Sequence, residues 1–308
     1  IAATSKNLEE AIKAGRFLND QELVWTLVTN APRCIRELED RYGCFFDRNA
    51  DNTIHQKPFA GQSFDRTVHK GDLTGIEIVG RLSEQVMRRL YASFRAPILI
   101  TDFNSAELIK HAANSFLATK ISYINAIANI CERSGADVRK VAQGVGMDKR
   151  IGKDFLNAGI GYGGFCLPKD VAAFVHIAGQ LGYQFNLLRS VQRINEDQRR
   201  RFVHKIEKAL TGLRSKRIAV LGLSFKPDTD DIRESPAVAI TGLLLARGAQ
   251  VSAYDPQAMP NARNILTSGR LHFAHNPYDA ARGAECLVIA TEWNEFRHLD
   301  LKRLRQIM

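Results

Sequence analysis

Residues 216–256, KRIAVLGLSFKPDTDDIRESPAVAITGLLLARGAQVSAYDP, decide the fold. They open on a short apolar run, KRIAVLGL (216–223), that closes on Gly222 as a buried strand does before a turn. SPAVAITGLLLARGA carries a helix's punctuation, with Ser235 at the cap, Pro236 at the first helical position and Gly248 as the stop. QVSAYDP follows at once as a second strand, and ECLVIAT (285–291) supplies a further one. Strand, helix, strand in so short a span predicts an α/β domain with a doubly wound, Rossmann-like parallel sheet. Its first turn reads GLSFKP and not GxGxxG, so the dinucleotide fingerprint is absent there. FKPDTDDIRESP is too polar for core and reads, on its residues alone, as an exposed turn with internal salt bridges.

Upstream the pattern becomes helical. Over 105–135, SAELIKHAANSFLATKISYINAIANICERSG places Ile109, Ala113, Phe116, Leu117, Ile124, Ile127 and Cys131 near a 3.6-residue repeat, with Ser105 as N-cap and Gly135 as stop. Lys110 and Asn114 are one turn apart and share a face. Spacing alone reads Lys110 as the partner of Glu107 in an exposed ion pair. NLLRSVQRINEDQRRRFVHKIEKALT (186–211) has Leu188, Val191, Ile194, Phe202, Ile206 and Leu210 on one stripe, that of a core-packing helix or of a face for a partner.

Between these helices lies GYGGFCLPKD (161–170). Glycines 159, 161, 163 and 164 permit tight turning and close approach, and Pro168 suits the first turn of the next helix, so Cys166 falls just before a helix N-terminus. Exposed amides there favour an anion, and Lys169 is adjacent. That is a nucleophile's environment, although a lone cysteine is also a common core filler. Cys131 and Cys286, each amid apolar residues, read as filler.

Composition limits the choices. The 308 residues are 45% apolar and 25% charged, enough for more than one core. No apolar run reaches the roughly 20 residues that span a bilayer, and residues 1–17 do not read as a signal peptide, so a cytoplasmic setting without membrane contact is expected. The five cysteines show no CxxC, which argues against a zinc cluster, and no metal site is predicted. The net charge of +10 is spread along the chain, RRRFVHK (199–205) being the densest run; it favours small anionic substrates over nucleic acid. Residues 20–43 are helical, and 46–75 are polar and turn-rich; His55, His69 and the single glycine of PFAGQSF, Gly61, form no recognisable site. Three segments follow: an irregular 1–83, a helical 84–212 and an α/β 213–308.

AELIKHAANSFLATKISYINAIANICERSGADV, GMDKRIGKDFLNAGIGYGGFCLPKD and LGLSFKPDTDDIRESP resemble, in order and spacing, motifs of the UDP-glucose/GDP-mannose dehydrogenase family. The resemblance runs from about residue 84 to 308 and implies a central helical dimerisation domain followed by a UDP-binding domain. It implies NAD-dependent oxidation of a sugar C6 alcohol to a carboxylate through a cysteine-bound thiohemiacetal and thioester. By motif, Cys166 would attack the C6 aldehyde, Asp170 would assist water activation, and Lys110 and Asn114 would stabilise oxyanion charge. Phe155, Leu156, Asn157 and Gly163 would line the sugar and uridine pocket, Arg150 would reach a neighbouring subunit's substrate, and Phe225 and Lys226 would contact the UDP-sugar. Arg233 would reach toward NAD, TEWNEF (291–296) would be structural, and a homodimer or larger homo-oligomer, joined largely by the 186–211 helix, is implied. RIGKDF with GYGGFCLPKD favours UDP-glucose over GDP-mannose.

Residues 1–75 instead resemble an internal piece of the flavoprotein subunits of succinate dehydrogenase and fumarate reductase, without the glycine-rich FAD-binding start or the catalytic arginine region of that family. No GxGxxG follows a strand near the start, so the dehydrogenase family's NAD domain is expected to be absent and conventional NAD binding with it. The chain stops at LKRLRQIM, ahead of the family's last strand and glycine-arginine motif. A natural domain shuffle and a fused coding sequence both fit the junction near GIEIVGRLSEQVMRRLYASF. The alternatives to an incomplete dehydrogenase are a non-catalytic nucleotide-sugar-binding or dimerisation module and a flavoprotein fragment.

Overall fold

A computed structural model describes residues 12–13, 20–57, 67–68, 70 and 73–308. The chain divides into two compact units, Ile1–Thr101 and Asp102–Met308. His69 and Gly61 lie outside the described residues.

In the first unit α1 spans Gln21–Asp40, started by the Asp20 carboxylate, which accepts from the amides of Glu22 and Leu23. A two-residue antiparallel ladder joins β1 (Gln56–Lys57) to β2 (Thr67–Val68), and α2 (Thr74–Leu90) runs across position 84. Neither helix has a buried residue; Cys44 and Phe46, in the connection after α1, are buried.

The second unit begins with α3 (Phe103–Ser134). Its cap is Asp102, whose carboxylate accepts from the Ser105 amide, so Ser105 is inside the first turn and not at the cap. Gly135 closes the helix at φ 77°, as its sequence position predicts. The buried stripe departs from the expected one. Ile109 and Phe116 are exposed, whereas Ser115, Ala118, Ser122, Asn125 and Ala128 are buried with Ile124 and Cys131. Small side chains let α5 (Cys166–Gln180) and α6 (Asn186–Ala209) come close to α3, and the larger apolar residues are left on the outer face. Between α3 and α5, the short helix α4 (Val138–Gly146) precedes the glycine loop. Ala118, Tyr162, Val171, Leu188 and Val191 form the core that fixes these helices together.

The carboxy-terminal part is the predicted doubly wound parallel sheet. Its strands are β3 (Arg217–Leu221), β4 (Gln250–Tyr254), β5 (Leu271–Phe273) and β6 (Cys286–Ile289), in the order β5-β4-β3-β6. The short β5 is not legible in the sequence. Helix α7 (Pro236–Ala246) connects β3 to β4 and is apolar on nearly every side; Ile240, Thr241 and Leu244 are fully buried. Ser235 caps it while its hydroxyl also donates to the Leu223 carbonyl at 2.7 Å, so one residue starts the helix and holds the end of β3. Four short helices, α8 (Met259–Arg263), α9 (Pro277–Ala281), α10 (Asn294–Arg297) and α11 (Leu301–Ile307), complete the unit.

Candidate active site

Helix α5 begins at Cys166 itself, one residue earlier than its proline suggests, with Phe165 at the cap and no side chain capping the first turn. The thiol is exposed. One turn on, Asp170 is fully buried, and both of its oxygens are engaged. Oδ2 accepts from Asn114 Nδ2 on α3 at 2.5 Å, and Oδ1 accepts from Lys169 Nζ at 2.6 Å. Burial pushes this carboxyl's pKa up, but the hydrogen bonds from Lys169 and Asn114 and the charges of Lys169 and Lys110 outweigh it, leaving the pKa below the ordinary value. The structure thus brings Cys166, Asp170, Asn114 and the field of Lys110 together from two helices. Lys110 is exposed and makes no ion pair with Glu107 among the described residues, against the spacing-based expectation.

The glycines before Cys166 are pinned against neighbours. Gly161 has φ 111°, and a Cβ there would meet Asn195 Oδ1 at 2.8 Å. A Cβ on Gly163 would meet the Glu234 carbonyl oxygen at 2.4 Å, and one on Gly164, at φ 79°, the Phe225 ring at 2.7 Å. The Gly164 amide donates to the Arg233 carbonyl at 3.0 Å. Gly163 thus sits against the turn before α7. Phe155, Leu156 and Asn157 line a separate cavity of about 630 Å³ with Arg139, Gln143 and Lys153, and none of Cys166, Lys110, Asn114 or Asp170 is in its wall. Phe155 holds φ at 62°, costly for an aromatic residue. Arg150 has 89% of its side chain exposed and pairs with Asp148 at 2.6 Å.

From the sheet side, Lys226 Nζ lies 5.5 Å from the centroid of the Phe225 ring. Arg233 is held by Asp231 at 2.7 Å and lies over the Phe165 ring at 4.5 Å. Its hydrogen bond to Asp231, together with that carboxylate's charge, holds its pKa above the ordinary value.

Three residues that matter to this geometry do not stand out in the sequence. Asn195 occupies the core stripe of α6 between Val191 and Val203, accepts from the Tyr162 amide at 2.8 Å and donates to the Tyr162 carbonyl at 3.0 Å. Its one signal is a polar residue four positions after Val191 on an apolar stripe. Arg199 follows one turn later. Asp255, at the end of β4, is fully buried and accepts from the amides of Leu223, Ser224, Gln257 and Ala258, from the Ser224 hydroxyl and from the Trp293 indole. Trp293 is therefore a structural anchor, as its motif suggests.

Asp255 also bears on cofactor fit. In a dinucleotide fold the first-turn amides receive a pyrophosphate; here two of them are taken by a built-in carboxylate, and the turn lacks the required glycines. The residues present do not fit NAD at this sheet. Among the described residues of the first unit there is likewise no parallel strand pair. No group of His, Cys, Asp and Glu able to hold a metal occurs among the described residues, and no described helix is long and apolar enough to cross a membrane.

Comparison with known proteins accounts for this arrangement. The model of the UDP-glucose/GDP-mannose dehydrogenase family central domain matches residues 104–197, and that of the same family's UDP binding domain matches residues 219–308. Over those residues the chain belongs to that family. A UDP-glucose 6-dehydrogenase of Bacillus subtilis is 44% identical over 248 residues, 80% of this chain and 56% of its own length. One of Rhizobium meliloti is 47% identical over 225 residues, 73% of this chain and 51% of its own. A solved UDP-glucose dehydrogenase of the archaeon Pyrobaculum islandicum aligns with a TM-score of 0.68 at 39% identity, over 76% of this chain and 52% of that one. The chain thus spans about half the length of the curated relatives it matches. An FAD binding domain model also matches residues 3–150, in keeping with the flavoprotein resemblance of the first segment. It overlaps the dehydrogenase match over α3 and α4, and there the dehydrogenase assignment agrees with the packing of α3 on α5 and α6.

Proposed function

We propose that this chain supplies the thiol and the nucleotide-sugar-binding part of a UDP-glucose 6-dehydrogenase. The observation that carries the reading is the exposed thiol at the first residue of α5, one turn from a buried carboxylate tied to Asn114. UDP-glucose is preferred because the relatives at 44% and 47% identity carry that name, whereas a solved UDP-D-ManNAc dehydrogenase from Pyrococcus horikoshii stands at 29%.

In this proposal Phe225 and Lys226 contact the UDP-sugar, and Phe155, Leu156, Asn157 and Gly163 line the sugar and uridine pocket, which requires residues 155–157, set in a cavity apart from the thiol, to move onto the substrate. The Cys166 thiolate adds to the C6 aldehyde, forming a C–S bond and placing negative charge on the former carbonyl oxygen, which Lys110 and Asn114 stabilise. At the thioester stage water adds to the carbonyl carbon, the C–S bond breaks, and the thiol and a carboxylate are released. Asp170 orients Asn114 throughout and accepts a proton from the water when one of its hydrogen bonds is released. The two oxidations in the family use NAD, with Arg233 reaching toward it. The residues described do not form that site, and no oxidative step is derived from them. Arg150 would serve a neighbouring subunit. A homo-oligomer is further supported by Ile109, Phe116, Tyr123 and Ile130, exposed at every seventh residue of α3. The apolar stripe of α6, by contrast, is spent inside the fold. We place the protein in the cytoplasm, in keeping with five free thiols.

The test is trapping. Purified protein incubated with a UDP-sugar analogue that carries a chloroketone at the C6 position is digested and its cysteine peptides weighed; a stable thioether adduct, formed as the thiolate displaces chloride, is expected on Cys166 and not on the exposed Cys34. Equal labelling of both would favour the non-catalytic binding module. NAD reduction by this chain alone would contradict the assignment of the dinucleotide site elsewhere. The flavin-type match has its own check, in that yellow protein would revive it.

A further inference from the structure

Arg199, on α6, lies outside the residues assigned above to the chemistry, yet its side chain bonds to the backbone of both the glycine loop and the turn before α7. Its Nη2 donates to the Tyr162 carbonyl in the glycine loop at 3.0 Å and to the Glu234 carbonyl before α7 at 3.3 Å. The side chain is half-buried, and its Nε is buried with no hydrogen-bond partner among the described residues. Burial lowers the pKa of this guanidinium below its ordinary value, the charges of Glu234, Tyr162 and Glu196 opposing that shift. A cation left in this position is sustained by the two carbonyls.

What those carbonyls belong to gives the bond its meaning. Glu234 stands at φ 50°, a left-handed conformation for a residue with a Cβ, and such strain persists only where neighbours over-determine it. Gly163 presses on the same Glu234 carbonyl, Gly164 donates to Arg233 and abuts Phe225, and Asn195 fixes Tyr162 from the next turn of α6. The loop that delivers Cys166 and the turn that delivers Phe225 and Arg233 therefore meet at one joint, and Arg199 hydrogen-bonds to the backbone of both halves.

We propose that Arg199 is a positioning residue that holds the Cys166 loop and the 231–235 turn as a single unit, so that the thiol is registered against a sugar whose nucleotide is held by the sheet. The second clause rests on the functional reading above; the first does not.

Amide hydrogen exchange tests the joint without ligand. In Arg199→Met, peptides covering 159–168 and 231–238 should both exchange about tenfold faster while β3 and β4 keep their protection. Arg199→Lys, which retains a donor, should restore much of that protection. Faster exchange in only one of the segments, in neither, or uniformly through the sheet would overturn the proposal, the last by reducing Arg199 to a general stabiliser. Alkylation by the C6 chloroketone analogue tests its purpose. The adduct rate at Cys166 should fall about fivefold in Arg199→Met with UDP affinity changed less than about twofold, a split expected of lost registration. An unchanged rate would overturn the positioning role, and a fall matched by equal loss of affinity would do the same. If the unsubstituted protein forms no adduct, the functional reading fails, and the exchange experiment still decides whether Arg199 makes the joint.

Discussion

The turn after β3 and the loop before α5 are built from the same parts and dispose of them in opposite ways. Each places glycine at left-handed φ, 91° at Gly222 and 111° and 79° at Gly161 and Gly164. Each leads toward a helix. In the first, the freed amides of Leu223 and Ser224 are consumed by Asp255, an anion the protein carries within itself. In the second, no side chain caps α5, and an exposed thiol is its first residue. A turn whose donors are satisfied internally is rigid and recognises ligands by side chains; amides at a helix start that no side chain caps stabilise charge that arrives or develops there. The first fixes the backbone that leads to Phe225 and Lys226, and the second sets an exposed thiol at a helix start that no side chain caps.

The contrast rests most heavily on Asp255. Asp255→Ala leaves several buried donors without an acceptor and should cost on the order of 4 kcal/mol, read as a shift in the urea midpoint. A loss under about 1 kcal/mol would mean that the first turn does not depend on its internal anion. Next in size is Gly163→Ala, whose methyl would meet a backbone oxygen at 2.4 Å. It should destabilise by about 1–3 kcal/mol and slow adduct formation at Cys166, because neither backbone can yield without moving the joint. Gly159→Ala, with nothing within 4 Å of the added carbon, is the matched control.

Asp170 extends the contrast to pH. Its pKa in the fold lies below the ordinary value, so ionised Asp170 stabilises the native state above about pH 4, and the contribution disappears as pH falls through the depressed folded value. Asp170→Asn should therefore lower the melting temperature at pH 7 and flatten its decline on the acid side; parallel curves would exclude this carboxylate as a source of acid sensitivity. The smallest effect on the fold belongs to Lys110→Met. The side chain is exposed, so stability should change by less than about 0.5 kcal/mol while the Cys166 adduct rate falls, a separation that a purely structural lysine would not give.

Several of these features are legible in the residues themselves. The parallel sheet follows from KRIAVLGL, SPAVAITGLLLARGA and QVSAYDP because strand length, capping residues and stop glycines are local properties. Asn114 and Asp170 come from motif, and their contact at 2.5 Å requires α3 and α5 to cross. The stripe on α3 misleads for a physical reason: apolar periodicity shows that a face avoids water, not which partner covers it. Close helix packing selects the small residues Ser115, Ala118 and Ser122 for the interior and leaves Phe116 outside. Asp255 and Arg199 carry little local signal, since a buried carboxylate and a bridging arginine are defined by what arrives from elsewhere in the chain.

Local sequence is enough to set the elements, most of their caps, the glycines that permit close approach and the thiol at a helix start, because each depends on neighbours within a turn or two. Only the packed chain shows that Asp255 fills the turn in which a dinucleotide would otherwise bind. The same holds for Phe165 lying against Arg233, and for Tyr162 and Glu234 sharing one guanidinium. Those contacts join residues tens of positions apart, and it takes the packing of α5 and α6 against the β3 turn to bring their polar groups within bonding distance.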